Sequence, residues 1–562
     1  MSIKTIQKSL QSENISGKII TLNNLFITED IRDDENQIKA LTGFTGSNAL
    51  LFITPNKCYL FTDARYTLQA QKQVNQKQIE IKIINSPLFI ALTDFLKTLR
   101  LPKSSKISYN PWEISIQTLQ SLTKNFPDLN FIKDNTAPLN LSSFVAKTFI
   151  HQKKFSGLSS KDKIALITKL LKKQKLDSIL ITSPSNVSWL LNLRSNALTY
   201  SPIFRAYALI NQDGSYKVFA NQTDLKTALS LEKLEKHLLK IKKLATDYTT
   251  TPAQILNFAP HTTHLKDPIF ALKSIKNKTE LKGFQLAHIR DGVAVCKFLY
   301  WLSKNTSSKL TELDIASKLT ELRQKEENYF SPSFGTISAF GSNGAIVHYC
   351  PTPKTNKVLK KGSLLLLDSG AQYYDGTTDI TRTIAISAPT DEMIEKYTLV
   401  LKAHINLSSA VFPQGITGEM LDILARKPLL QHNLNYGHGT GHGVGHFSNV
   451  HEGPNNISIY RNSNAILQES MITSIEPGFY KENNFGIRIE NLYYISSFGK
   501  TENLCFVPLT LVPFDRNLIN PALLTKEEKD YINTYHKEVF KNIKKYLTNL
   551  ELNWLKQQTS PL

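Results

Sequence analysis

Glycine occupies every second position from Gly437 to Gly445 in the stretch YGHGTGHGVGHF, a pattern that restricts the backbone more than any other in this chain. Each glycine in a helix interior costs about 1 kcal/mol relative to alanine, so an extended segment is expected here. Period-two geometry sends His438, Thr440, His442, Val444 and His446 to one face, while the glycine face lets another backbone approach closely. With His432 and His451 flanking it, the segment would bring several imidazoles to one place. A solvated His/Gly loop is the alternative reading. The helical HExxH zinc motif does not apply, because no Glu follows the first histidine.

Acidic residues fall in three other regions. KGSLLLLDSGAQYYDGTTDITRTIAI, from Lys361, reads as a buried strand ending at Asp368, a glycine-bearing turn and a second strand around Asp379. Asp368 follows four leucines, so its carboxylate lies near the core and needs a cation or a proton. Asp379 would face the same space from the neighbouring strand. Taken alone, both read more readily as turn-capping aspartates. In MITSIEPGFY, Glu476 ends an apolar strand against a Pro-Gly turn. In FGIRIEN, Arg488 and Glu490 share one strand face, which alone suits an ordinary surface ion pair. Together with the histidines these carboxylates form the donor set of a metal site. Four carboxylates and one imidazole suit Mn²⁺ or Co²⁺ better than a thiolate-rich zinc site would. Their charge offsets two divalent cations, which depress the pKa of water, and that chemistry reads as hydrolysis.

The chain has 562 residues, beyond the roughly 250 to 300 at which single cores stop growing, so two or three domains are expected. The first 150 or so residues alternate LTGFTGSNALLFIT, KCYLFTDARYTLQA and IEIKII, as in a compact α/β unit. A second unit opens on a helix marked by Ile164, Ile167, Leu170 and Leu171, followed by the strand SILIT. A third is placed from about Lys273, where Leu286, Ile289, Val293 and Phe298 mark a long amphipathic helix. Apolar residues at 41% and charged residues at 20% exclude a disordered chain. No apolar run approaches the roughly 18 residues of a membrane span, and the N-terminus lacks the apolar core of a secretory signal, so the expected compartment is the cytoplasm. Cys58, Cys296, Cys350 and Cys505 have neither disulfide-framework nor CxxC spacing and read as reduced, structural thiols. The net charge of +20 comes from scattered lysines without interleaved aromatics, so no nucleic-acid partner is expected.

The motifs DSGAQYYDGTTDITRT, HGTGHGVG, IEPG and GIRIEN resemble those of the pita-bread metallopeptidase family M24, in its aminopeptidase P branch, whose members remove an N-terminal residue preceding proline. GFTGSNALLFI with FTDARYTLQA, and SPSNVSWLLNLR, are similar to the two creatinase-type N-terminal domains of that branch; the tail from PLTLVPFDRN resembles the extension of its longer form. The resemblance implies an α/β (α+β) architecture: creatinase-like domains at 1–155 and 156–272, then a pita-bread catalytic domain at 273–562 with its extension from about 505. It implies Asp368, Asp379, His442, Glu476 and Glu490 as ligands of two divalent ions, Mn²⁺ foremost with Co²⁺ or Zn²⁺ as alternatives. Asp379 and Glu490 would bridge the ions, Asp368 would complete one, and His442 with Glu476 the other. It further implies His348, His438, His451 and Glu476 as catalytic residues, and Arg65, His348, His442, His451 and Glu476 as substrate-binding residues. The expected reaction is hydrolysis of an N-terminal Xaa-Pro bond by a hydroxide bound to the two ions. The expected partners are peptides with proline second and a second copy of the chain in a homodimer, with no membrane. A prolidase restricted to Xaa-Pro dipeptides and a non-catalytic pita-bread binding module are the alternatives. Two departures stand out: His446 where a small residue is usual, and Ala64 where glycine is more familiar.

Overall fold

The computed structural model describes residues 2–134, 144–306, 309–460 and 464–562. The chain divides into two compact units, one of Met1–Gln152, Leu158–Leu198 and Pro202–Phe270, the other of Lys153–Gly157, Thr199–Ser201 and Ala271–Leu562.

In the first unit a six-stranded sheet runs in the spatial order Glu80–Ile84, Cys58–Asp63, Ala49–Ile53, Gly17–Thr21, Lys106–Tyr109, Asn130–Lys133. Ala49, Leu51, Ile53 and Leu60 pack with Ile6 and Leu10 on one face; Leu50, Phe52, Tyr59 and Phe61 pack with Leu92 and Leu96 on the other. Helices cover both faces, so these strands read as unbroken apolar runs rather than alternating ones. A second sheet, of five strands, has Ser178–Ile181 at its centre, between Tyr207–Asn211 and Leu244–Thr246. The helix Ser160–Gln174 precedes that strand, as its spacing predicts, with Ile164, Ile167 and Leu171 buried.

The second unit contains the long helix Lys278–Asn305, capped by Asn277 in a capping box with Glu280. Its buried stripe includes Phe284, Ala287, Asp291, Val295 and Phe298, whereas Leu286 is 38% exposed. The helix is thus rotated from the orientation that Leu286 suggested. The cause is a close approach: a Cβ at Gly283 would lie 2.2 Å from Asp375 O, so the glycine side, not the leucine side, faces inward. Three antiparallel strands follow, Leu364–Ser369 pairing with Ile337–Phe340 on one side and Ile380–Ala385 on the other, with Asp368 opposite Thr381. Ile472–Ile475 lies in a separate four-stranded sheet beside Asn491–Ser497, and Gly478–Lys481 forms a hairpin with Phe485–Arg488. The C-terminal helices Lys526–Ile543 and Asn549–Gln558 send Ile532, Val539, Ile543 and Leu555 into the same core as Val293, Tyr397 and Val400. Cys58 and Cys296 are buried, as structural thiols should be, while Cys350 is exposed on a loop.

Candidate metal centre

Asp368 leaves the end of a leucine strand whose neighbours are all buried, and Asp379 immediately precedes the antiparallel strand Ile380–Ala385, so strand pairing alone brings the two aspartates to one end of the sheet. Glu490 reaches the same region through an isolated bridge between Thr381 and Glu490; Thr381 Oγ1 donates to Glu490 Oε2 at 2.7 Å. Arg382 fixes the backbone there, its Nη1 donating to Glu490 O at 2.8 Å and its Nη2 to Val512 O at 2.7 Å.

The histidine comes from the glycine-rich segment. It is paired as a strand at Gly441–His442 with Asn456–Ile457, and Gly443 adds an antiparallel bridge to Thr473. A Cβ at Gly441 would lie 2.0 Å from Ser474 O, so the alternating glycines do permit the backbone approach that their spacing suggested. His442 Nε2 stands 3.5 Å from Asp379 Oδ2 and 3.5 Å from Glu476 Oε1. Ligand atoms of Asp379, His442 and Glu490 lie within 4.8 Å of one another.

The imidazoles do not all converge, contrary to the reading of one continuous extended face. The backbone turns on either side of Gly441–Gly443, and each histidine takes a different environment. His451 is exposed, its ring edge-on to that of His442 at 4.4 Å. His438 is buried and its Nε2 is 2.8 Å from Tyr480 Oη. His446 packs its ring against Phe284 at 5.5 Å in the core, which explains why an imidazole is tolerated at a site where a small residue was expected. His348 is half-buried on the loop after the turn Gly341–Ala345. Arg65 lies in the first unit, where its Nη2 pairs with Asp63 Oδ2 at 2.7 Å and its guanidinium covers the Tyr66 ring.

Arg488 corrects one expectation: it is not half of a surface pair with Glu490. It is 1% exposed, and its Nη2 donates to Asp368 Oδ2 at 2.7 Å while Nη1 donates to Tyr480 Oη at 2.7 Å. His438, Tyr480, Arg488 and Asp368 therefore form one hydrogen-bonded chain. Tyr480 carried no motif of its own; only its place opposite Gly486 in the hairpin betrays it.

The electrostatics ask for cations. Burial and the nearby Asp379 charge push the Asp368 carboxyl up to about 7 despite Arg488. Burial and the same charge raise the Glu490 carboxyl well above its ordinary range, and burial raises Glu476. Against the downward pull of burial, the hydrogen bond to Asp379 and the charges of Glu476 and Asp379 lift His442 to about 9. Asp368 Oδ1 is buried without a hydrogen-bond partner, an acceptor left over for a cation. Oxygen donors and one imidazole fit divalent ions of the hard or borderline kind.

Residues 282–497 match Metallopeptidase family M24 and residues 502–562 the C-terminal region of peptidase M24; residues 3–136 and 142–280 each match a Creatinase/Prolidase N-terminal domain. A probable Xaa-Pro aminopeptidase P of Laccaria bicolor is 34% identical over 99% of this chain and 92% of its own length. The chain belongs to metallopeptidase family M24. Xaa-Pro aminopeptidase 1 of Dictyostelium discoideum is also 34% identical, over 100% of this M24 chain and 96% of that protein. An X-prolyl aminopeptidase of Caenorhabditis elegans, described as a cytosolic enzyme with a di-nuclear active site, superposes with a TM-score of 0.93 at 30% identity, covering 100% of this chain and 98% of that one. The M24 fold expected from the motifs, two creatinase-type N-terminal domains before a catalytic metallopeptidase region, is thereby established.

Proposed function

We propose that this M24 chain is a metal-dependent aminopeptidase that hydrolyses the bond between an N-terminal residue and a following proline. The convergence of Asp379, His442 and Glu490, with Glu476 3.5 Å from the imidazole, carries the reading, and the full-length relatives named Xaa-Pro aminopeptidase direct it to proline. Asp368, Asp379, His442, Glu476 and Glu490 would hold two divalent cations, with Mn²⁺ favoured by the oxygen-rich donor set. Bound there, such ions polarise the scissile carbonyl and make water acidic enough to react near neutral pH.

The residues divide the remaining work. Glu476 takes a proton from the attacking water and passes it to the proline nitrogen as the C–N bond breaks. His451 and His348 donate to the carbonyl oxygen as it gains charge, an effect commonly worth several kcal/mol of barrier. His438 orients the peptide while Tyr480 fixes its ring. Arg65 binds peptide from the first creatinase-like domain, in a division of the chain at 1–155, 156–272 and 273–562.

No helix among the described residues is long and apolar enough to cross a membrane, and the Caenorhabditis elegans relative is described as cytosolic, which supports a cytoplasmic enzyme. Met420, Ile423 and Leu430 share an exposed face of the helix Gly418–Leu430, and that apolar face supports a homodimer. The test is release of the first residue from a peptide such as Arg-Pro-Pro before and after chelation, with an Xaa-Ala control and an Xaa-Pro dipeptide. Metal-dependent cleavage of the tripeptide supports the proposal; cleavage of the dipeptide alone makes the enzyme a prolidase.

A further inference from the structure

Beside the centre, but outside its donor set, three charged side chains are buried together. Lys273 Nζ lies 3.1 Å from Glu452 Oε2, Lys276 Nζ lies 2.8 Å from Glu452 Oε1, and all three side chains are 2–3% exposed. Lys276 Nζ also donates to Lys273 O at 2.9 Å, and the Lys276 backbone N–H donates to Ser470 O at 3.0 Å. Glu452 directly follows His451. Its backbone N–H donates to Gly443 O at 2.8 Å, and Gly443 in turn donates to Asn455 O at 3.0 Å. The loop bearing His451 is thus stitched to the residue after His442 by its backbone and anchored to the 273–276 segment by its carboxylate.

Burying three ions costs several kcal/mol per ion before their attraction is counted, and apolar side chains of equal volume would hold a loop without that cost. What ions supply and apolar packing does not is a fixed direction. Two ammonium groups, one on each carboxylate oxygen, set the azimuth of Glu452 and with it that of the preceding residue.

We propose that Glu452, gripped by Lys273 and Lys276, is a positioning residue that holds the exposed His451 imidazole edge-on to His442 and so aims it at the substrate carbonyl. The catalytic half of this inference rests on the Xaa-Pro aminopeptidase reading; the positional half does not.

Glu452→Asp withdraws the carboxylate by one methylene while keeping every charge. In the metal-loaded full-length protein it should retain metal content and melting temperature, keep KM within about two-fold and lower kcat about ten-fold or more. With histidine-selective labelling, the His451 ring resonance should shift while that of His438 stays. A second variant guards against misfolding: Glu452→Gln with Lys273→Met and Lys276→Met removes all three charges together, a replacement cores tolerate well. It should fold and bind metal yet keep the low kcat. Wild-type kcat in either variant, or an unmoved His451 resonance, overturns the proposal. If the wild-type enzyme cleaves no Xaa-Pro peptide, the functional reading fails, and the resonance still decides whether Glu452 positions His451.

Discussion

Arg488 Nη2 donates to Asp368 Oδ2 at 2.7 Å, and the other carboxylate oxygen, Oδ1, is buried without a hydrogen-bond partner. One oxygen is neutralised by the protein, and the second is left for a cation. The guanidinium is therefore part of the charge balance of the centre.

Removing that guanidinium should hurt the metal-free protein most. Arg488→Met leaves Asp368 buried without its cation, a change that typically costs about 3–5 kcal/mol. Chemical denaturation after chelation should show this loss, and added Mn²⁺ should restore more stability to the variant than to the wild type. Equal losses with and without metal would contradict the role given to Arg488.

Asp379 contributes to the raised carboxyls of both Glu490 and Asp368. Asp379→Asn should relieve that repulsion but also lose the attraction to His442, leaving the stability of the metal-free protein little changed, while lowering turnover about a thousand-fold and metal loading below two equivalents. Elemental analysis beside a melting curve checks both halves. A variant that keeps full metal and activity rejects Asp379 as a ligand.

Glu312 is fully buried and accepts from Phe340 N at 2.7 Å, Tyr349 Oη at 2.7 Å and Lys357 N at 2.9 Å. It fixes the residue next to His348. Glu312→Ala removes the acceptor these groups share, leaving Tyr349 Oη only Thr355 at 3.0 Å, and should cost about 3 kcal/mol of stability, with a fall in kcat beyond that explained by unfolding. Denaturant titration and kinetics on the same sample separate the two.

Away from the centre, burial pushes the Glu113 carboxyl up to about 7 in the first unit. In the unfolded chain the group titrates near ~4.3. The folded state holds the proton more tightly, so its contribution to stability is complete below about 4.3 and is lost as pH rises through about 7. Between pH 5 and 8 the first unit should lose up to about 3 kcal/mol. Glu113→Gln should flatten this slope, as read by urea midpoints across that range; an unchanged slope assigns the titration elsewhere.

Much of the centre was legible in the sequence because its donors sit in short motifs with strong local constraints. Four leucines before Asp368 mark a buried strand, and the Pro-Gly turn after Glu476 marks a strand end. The alternating glycines around His442 do allow close backbone contact, at Ser474 O. What those glycines could not reveal is that strand pairing spans only Gly441–Gly443, so His438 and His446 part from His442 towards Tyr480 and Phe284. Leu286 misled for a similar reason: periodicity defines a stripe, but the close approach of Gly283 to Asp375 decides which stripe faces inward. The partners of Arg488 and Glu452 lie far away in the chain, at Asp368 and at Lys273 with Lys276, and no local pattern links them.

The most direct measurement is a Mn²⁺ titration of the chelated protein in which bound metal and Arg-Pro-Pro turnover are read together. Two equivalents should bind, turnover should rise with them, and His442→Ala should hold no more than one equivalent and lose turnover. Full turnover in the metal-free protein, or two tightly bound equivalents in the His442→Ala variant, would contradict the account.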